Sequence, residues 1–587
     1  MENKTEEDYR KAKNAERDLH TLFRKQNLTL PIPIRKLNHT LPDGNMISIE
    51  YVQPSDWLSC LISKYPQLLA GGYASLEDQV RGFWDLYRFQ HPTHAVYQRH
   101  ESDLHAVFPV QFWGDEGRGP KRAGYMAGTL EYLESCLGLG ELESECVCGC
   151  EERLLDFSPG WLPQCHEALL PETESMKAVS LVGTNYKGHS FLTRYLLFGI
   201  PGYLYGNKYD LVLRHLEKVA EDLKLLFTDG LLVNGRRYFA ALVGSKGDFK
   251  FQANVVAHLK RSYQNMGSVN AIPCCSICLA GTTEYEMEDV QHEPGWADSM
   301  WTERPWDSNN PPPFLEVPFD NSKPEMLYKL DHFHVFKVGV GRDVCGSGLM
   351  WLCYLGWFDI PNESTSVPKR LERCHSWFAL WCRAEHKNPG LRSFTKLFFN
   401  YANTGSSAWC NSKGSDTMLI LHFLAWTLRV RLDNVEDSWA THERILRVLL
   451  RVVTNAIEMC DLVYKHPVWM PRKCAMRLYC HIMVVVRGYK QMAKYFVDQG
   501  MAGFRMKPKL HALHHLGYDL KLALQTPAPK ILNPACYACE MNEDHIGHTA
   551  RMSRKLATKT LGLRLMQRYF LKTKAVIRRH LLKRNSK

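Results

Sequence analysis

Apolar positions along this chain switch between two spacings, and each switch marks an element. Leu76, Val80, Phe83, Trp84 and Tyr87 recur on one side of Ser75–Tyr87, which predicts an amphipathic helix. Val107–Gly117 and Tyr238–Val243 are short, nearly unbroken apolar runs and predict buried strands. Between them, Leu211, Leu213, Leu216, Val219, Leu223 and Leu226 predict a helix over Tyr209–Phe227. Met176–Gly183 and Phe191–Phe198 read as two further strands, or as a strand and a helix. After the second apolar run, Phe249 to about Tyr263 is compatible with a helix. From about Pro368 to Gly500 the period is helical, with long amphipathic runs over Asn434–Lys465 and Pro471–Gly500. Asn533-Pro534 is a helix start, an N-cap followed by proline at the first helical position, and the helix runs on through ACYACEMNEDHIGHTARMSRKL.

These patterns divide the chain. Residues 1–100 read as a helical or irregular lead-in, and 101–295 as the first part of an α/β core. Residues 296–326, rich in proline and polar residues, read as a connection. Residues 327–530 read as an α-helical insertion, 531–556 as a helix that completes the core, and 557–587 as a basic terminal helix. The expected class is α/β, a core sheet interrupted by a large helical insertion, with helical N- and C-terminal extensions.

Composition narrows the setting. The chain has 587 residues, 45% hydrophobic and 23% charged, as in globular proteins. Nineteen scattered cysteines point to a reducing compartment rather than a disulfide framework. The first twenty residues are charged from the second onward, unlike a secretory signal, and no apolar run approaches the roughly 18 residues of a membrane span. The expected location is the nucleus or cytoplasm, with no membrane partner. The net charge of +11 is concentrated in Arg551–Lys587, which holds 13 Lys or Arg and no acid, leaving −2 for the rest (11 − 13). That asymmetry suggests a polyanion partner, with Lys555, Arg564, Arg568, Lys572, Lys574, Arg578 and Arg579 as phosphate contacts. The plainer reading is a solvated helix with basic faces.

Three acids carry the candidate chemistry. Asp115 follows the first apolar run in GDEG, where Gly114 and Gly117 permit a tight backbone, although Asp-x-Gly is also common turn chemistry. Asp248 follows the second run in KGDFKF. Glu543 competes with Glu540 and Asp544 on the late helix and is preferred for its spacing to Gly547. Two strand acids and one helix acid are how a ribonuclease H-like fold holds two divalent cations. Mg²⁺ takes hard oxygen ligands in octahedral geometry, and two ions roughly 3.5–4 Å apart serve both the attacking and the leaving oxygen of a phosphodiester.

Cys275 and Cys278 form a C-x-x-C, half of a zinc site. Candidates for the other half are His292, His332, His334, or Cys536 and Cys539. His511, His514 and His515 read as core or phosphate-contacting residues. Cys146, Cys148 and Cys150, near Cys136, Cys165 and His166, have a spacing foreign to zinc fingers and read as a reduced loop.

In their order, these motifs resemble a DDE-type transposase, closest to the CACTA (En/Spm-like) group. The matching pieces are GDEG at Asp115, Asp248 ahead of Cys275 and Cys278, Asp331 and His334 as D-x-x-H before VGVG, and Glu543 four residues before Gly547 with basic residues after. They are scattered between about Phe108 and Lys555. The resemblance implies a ribonuclease H-like fold with a helical insertion, Asp115, Asp248 and Glu543 as ligands of Mg²⁺ or Mn²⁺, DNA as partner, and cleavage followed by strand transfer, with assembly of copies on DNA. The chain departs from the family in having KGDFKF where D-x-P-A is usual, and 133 residues between Asp115 and Asp248 (248 − 115). The rival expectations are a nuclease without strand transfer, a nucleic-acid-binding protein that has lost catalysis, and a helical interaction protein with a basic tail.

Overall fold

The computed structural model describes residues 17–585 apart from 41–43, 71–74, 119–123, 133–161, 163, 167, 181, 185–187, 207–208, 260–271, 434–440 and 558–559. Cys136, Cys146, Cys148 and Cys150 lie outside the described residues.

The protein is mixed α/β, built on a seven-stranded sheet of order β1-β2-β5-β4-β3-β7-β6. Its strands are β1 (Arg35–Thr40), β2 (Met46–Tyr51), β3 (Val107–Arg118), β4 (Gly124–Tyr132), β5 (Arg194–Pro201), β6 (Leu231–Val233) and β7 (Arg236–Lys246). β3, β4 and β5 are consecutive antiparallel neighbours, whereas β7 lies parallel to β3. A parallel neighbour requires a crossover, and the helix Asp210–Thr228 supplies it, within one residue of the span its apolar period predicts. Met176–Gly183 and Phe191–Phe198 resolve as a short helix, Glu174–Val179, and strand β5.

The ends of the chain depart from the expected extensions. The lead-in supplies β1 and β2, a hairpin joined to the sheet where Tyr51 pairs with Phe198. The predicted helix α1 (Leu76–Tyr87) forms, with the Ser75 hydroxyl accepting the Asp78 N–H at 3.1 Å. The terminal basic helix is half core: Leu561, Leu565, Tyr569, Thr573 and Ile577, four residues apart, are all buried. Tyr569 ties it down by donating to the Arg194 carbonyl at 2.6 Å. The proline-rich stretch is likewise more than a connector, since Phe314, Val317 and Phe319 are buried in the core that packs on the sheet.

A second core lies among helices. It includes α2 (Gly341–Tyr354), α3 (Val367–Ala384), α4 (Gly414–Leu432), α5 (Glu443–Lys465), α6 (Arg472–Asp498) and α7 (Pro508–Leu524). The chain then returns to the sheet through a two-stranded pairing of Trp469–Pro471 with Lys530–Leu532. The Asn533 side-chain Oδ1 caps the next turn by accepting the Ala535 N–H at 2.9 Å, and its side-chain amide donates to the carbonyls of Val463, His466 and Pro467. That turn is a short 3₁₀ segment, so the late helix α8 begins only at Glu540 and ends at Ser553. Among the described residues, no helix is long and apolar enough to cross a membrane.

Candidate metal-dependent site and a second ligand cluster

Register brings the two strand acids together. β3 and β7 run parallel, and their last paired residues are Trp113 and Lys246. Asp115 and Asp248 each stand two residues beyond that pair, so they leave the same end of neighbouring strands. Asp115 is not a turn residue: β3 continues through it, and it pairs with Ala127 of β4. Its flanking glycines act by what they lack. A side chain at Gly114 would collide with the Phe251 ring, and one at Gly117 would meet Ile546 of α8. Both segments can therefore close over Asp115. Asp248 caps the turn that follows β7, accepting the Phe251 N–H at 2.6 Å. The helix expected after it is a single turn, Phe249–Phe251, that widens into a π-turn, Gln252–Val256.

Helix α8 supplies the third acid. Glu540 is held by Lys337 at 2.8 Å, and Asp544 accepts from the Ser190 hydroxyl at 2.7 Å. Glu543 turns inward to hydrogen-bonding reach of Asp115. Burial raises the Asp115 carboxyl well above the usual range, and Glu543 and Asp248 add to the rise. Burial also raises Glu543. Like charges gathered in one partly dry space destabilise each other unless protons or a cation intervene. Glu543 Oε1 is buried with no hydrogen-bond partner. The donor set is all carboxylate, the type a hard divalent cation takes. The three do not, however, offer one ligand atom each within 4.8 Å of one another, as Asp331, His334 and Cys539 do. An ion would have to draw Asp248 closer to the other two.

Asp331 and His334 complete the rim. The buried Asp331 carboxylate accepts the N–H groups of Phe333 and Cys539, at 2.8 and 2.9 Å, and pairs with His334 Nδ1 at 2.5 Å. His334 Nε2 lies 3.6 Å from Glu543 Oε1. Burial opposes a charged His334, but Asp331, Asp115 and Asp248 together raise it. The VGVG stretch is a π-helical segment, Phe333–Val340, kinked at Val338 and Gly339. Such wide turns often mark functional sites.

A buried ion network sets the strand ends against α8. Glu131 of β4 bridges Arg194 at 2.9 Å and Lys246 at 2.8 Å, and their side chains are at most 2% exposed. Lys246 Nζ also reaches the carbonyls of Cys536 and Ala538 just ahead of α8, each at 3.4 Å. Removing one partner of a buried pair leaves an uncompensated charge, worth roughly 3–5 kcal/mol. Glu131→Gln is therefore expected to destabilise the fold by about that amount, read from urea unfolding at constant slope. A loss under about 1 kcal/mol, the scale of an exposed pair, would show that the network holds nothing.

The C-x-x-C finds different partners from those expected. Cys275, Cys278, His511 and His515 are all buried, and their ligand atoms lie within 4.8 Å of one another. Cys278 Sγ stands 3.3 Å from His511 Nε2 and 3.2 Å from His515 Nε2. The Ile277 N–H donates to Cys275 Sγ at 3.3 Å. Burial works against a charged Cys275, but Cys278 and the two histidines outweigh it and hold that thiol well below its usual range. Two sulfurs and two imidazole nitrogens at tetrahedral edge spacing fit Zn²⁺. His292 instead meets the Tyr479 hydroxyl, His332 is buried against Phe336, and His334 pairs with Asp331. Cys536 lies in the 3₁₀ turn before α8, and Cys539 at the start of α8 groups with Asp331 and His334 as a second set of possible ligands. His511 and His515 are buried, as the core reading has it, but they face the C-x-x-C and with it could hold a metal ion. His514 is core, packed on Trp296. The available signal was H-x-x-x-H, which puts two imidazoles on one helical face.

The basic residues divide. Lys555, Arg578 and Arg579 are exposed, and Arg564 and Arg568 are half-buried. Lys572 sits beside His548 of α8, 3.4 Å away, and over the Phe191 ring. Lys574 points elsewhere, donating to Asn27 at 2.6 Å, and so ties the terminal helix to the N-terminal segment. Comparison of the chain with protein-family models and with curated proteins finds no match.

Proposed function

We propose that this protein cuts and rejoins DNA by metal-dependent phosphodiester transfer, as the resemblance to CACTA-type DDE transposases implies. The observation that supports the reading is that Asp115 and Asp248 leave the same end of neighbouring parallel strands, with Glu543 of α8 adding like charge to Asp115. Antiparallel β3-β4-β5 with a parallel β7 beside β3 supports a ribonuclease H-like core. Two Mg²⁺ or Mn²⁺ ions held by these carboxylates would supply an activated oxygen and a stabilised leaving oxygen. The chain's own part is to fix three carboxylates before substrate arrives, with His334 set beside Glu543. Zn²⁺ at Cys275, Cys278, His511 and His515 is structural in this reading, because four protein ligands leave no open position. Exposed Lys555, Arg578 and Arg579, with Arg564, Arg568 and Lys572, would hold phosphates, so affinity falls with salt. We assign the protein to the nucleus on the same grounds.

The test is cleavage of an end-labelled duplex in Mg²⁺, comparing wild type with Asp248→Asn. A loss on the order of 10³-fold is expected when a preorganised charge at the reacting centre is removed. Equal rates in the two proteins would remove Asp248 from the chemistry. Joined products distinguish strand transfer from plain hydrolysis.

A further inference from the structure

A cavity of about 440 Å³ lies behind the candidate active site, between the 319–330 segment, α7 and the loop after α1. Its size falls in the range of small-ligand pockets. Tyr328, Trp301 and Tyr537 form part of its wall. Most of the charged groups around it are spoken for. Asp320 accepts from Thr93 and Ser322, Glu325 pairs with Arg304, and Lys323 covers the Trp301 ring. Lys329 and Asp519 differ: among the described residues, neither makes an ion pair or a side-chain hydrogen bond. Asp519 is exposed and lines the cavity; burial raises its carboxyl, and His515 and Lys329 work against that rise.

Both groups stand on fixed backbone. The Lys329 N–H donates to the Ser245 carbonyl at 2.9 Å at the end of β7, and its side chain lies over the Tyr537 ring at 4.9 Å. Asp519 follows His515 by one turn of α7. Burial lowers Lys329 to about 8, which still leaves it mostly charged at neutral pH. An ammonium and a carboxylate that face one cavity without touching each other ask for a ligand that bridges them. The ligand must be flat enough for aromatic walls, present acceptors to the lysine and present donors to the acid. Guanine meets all three conditions. Its O6 and N7 accept, while N1–H and the 2-amino group offer two parallel donors that a carboxylate takes together. Adenine and cytosine offer a carboxylate only an exocyclic amine. Aromatic walls suit an unstacked base. Lys323 already covers the Trp301 ring and Lys329 the Tyr537 ring, so the base would lie beside these lysine–aromatic pairs and against Tyr328.

We propose that this cavity binds a guanine base between Lys329 and Asp519. The proposal stands apart from the cleavage reading, since neither residue belongs to the carboxylate cluster. The base could arrive on a nucleic-acid strand or as a free nucleotide, and the shared chemistry is the base.

The experiment is calorimetric titration of the full chain with guanosine, adenosine, xanthosine, guanosine monophosphate and a short single strand containing one guanine. Guanosine should bind saturably and at least tenfold more tightly than adenosine. Asp519→Asn should weaken guanosine at least tenfold and shift preference to xanthosine, whose 2-carbonyl accepts from the new amide. Lys329→Met should weaken both, and Asp248→Asn should bind guanosine as the wild type does. Tighter binding of the strand than of the monophosphate identifies a strand-borne base, and the reverse identifies a free nucleotide. Equal binding of guanosine and adenosine, no saturable binding of any guanine probe, or an unchanged guanosine-to-xanthosine ratio in a folded Asp519→Asn protein would overturn the proposal.

Discussion

Cys278→Ser is expected to lose one equivalent of bound zinc and to lower stability by about 4 kcal/mol or more, the scale reserved for losing a structural metal. Cys278 Sγ lies beside both histidine nitrogens, so it is the ligand whose loss opens the cluster most. The cluster joins the 275–278 knuckle, which follows Asp248 in the chain, to α7 of the helical unit. Its loss should therefore free the knuckle and part of α7 while leaving the larger sheet core packed, since the two have separate apolar clusters. His515→Ala should behave in the same way. His514→Ala is the control: it removes a buried imbidazole-ring contact with Trp296 but no ligand, so zinc content should stay at wild-type level. Metal analysis and urea unfolding of the three variants read this directly. Wild-type protein without zinc, or a Cys278→Ser variant as stable as wild type, would sink the assignment.

What could be read from the linear chain depended on whether the physics was local. The apolar period of the crossover helix and the unbroken runs of β3 and β7 are local signals, and they located two of the three acids. Their meeting was not readable, because it rests on one register, Trp113 opposite Lys246, between strands 133 residues apart. β1 and β2 escaped notice because RKLNHT is mostly exposed and polar and the six residues of MISIEY are too short a run to stand out. The terminal helix was misjudged for the opposite reason: its charge count hid a stripe of Leu561, Leu565, Tyr569 and Ile577. Proline in 311–313 marked irregular backbone correctly, but proline removes hydrogen bonds rather than packing, and Phe314 is buried next to it. The partners of Cys278 were out of reach by distance. Cys278 meets His511 and His515 across 233 and 237 residues, and no spacing rule spans such a gap.

Asp115→Asn should separate stability from activity at the carboxylate cluster. The wild-type carboxyl is buried, and Glu543 and Asp248 add like charge to the cost of burying it. An amide of nearly the same shape replaces the raised Asp115 carboxyl and cannot ionise, so it removes the cost of charging that position beside Glu543 and Asp248. Without divalent cation, the variant is expected to be more stable by about 0.5–2 kcal/mol, as when a strained functional site is relaxed. Raising Mg²⁺ should stabilise the wild type through preferential binding to the folded state and stabilise the variant much less. Cleavage should fall on the order of 10³-fold or more, because an amide oxygen is a weaker ligand and carries no charge to hold a cation. Thermal melts with and without Mg²⁺, set beside single-turnover cleavage, measure both halves. If Asp115→Asn melts below wild type in the absence of cation, the three carboxylates do not strain one another, and the space between them is not built for a metal. If the variant is stabilised by Mg²⁺ as much as wild type is, the cation binds elsewhere, and the convergence of the strand ends with α8 serves the fold alone.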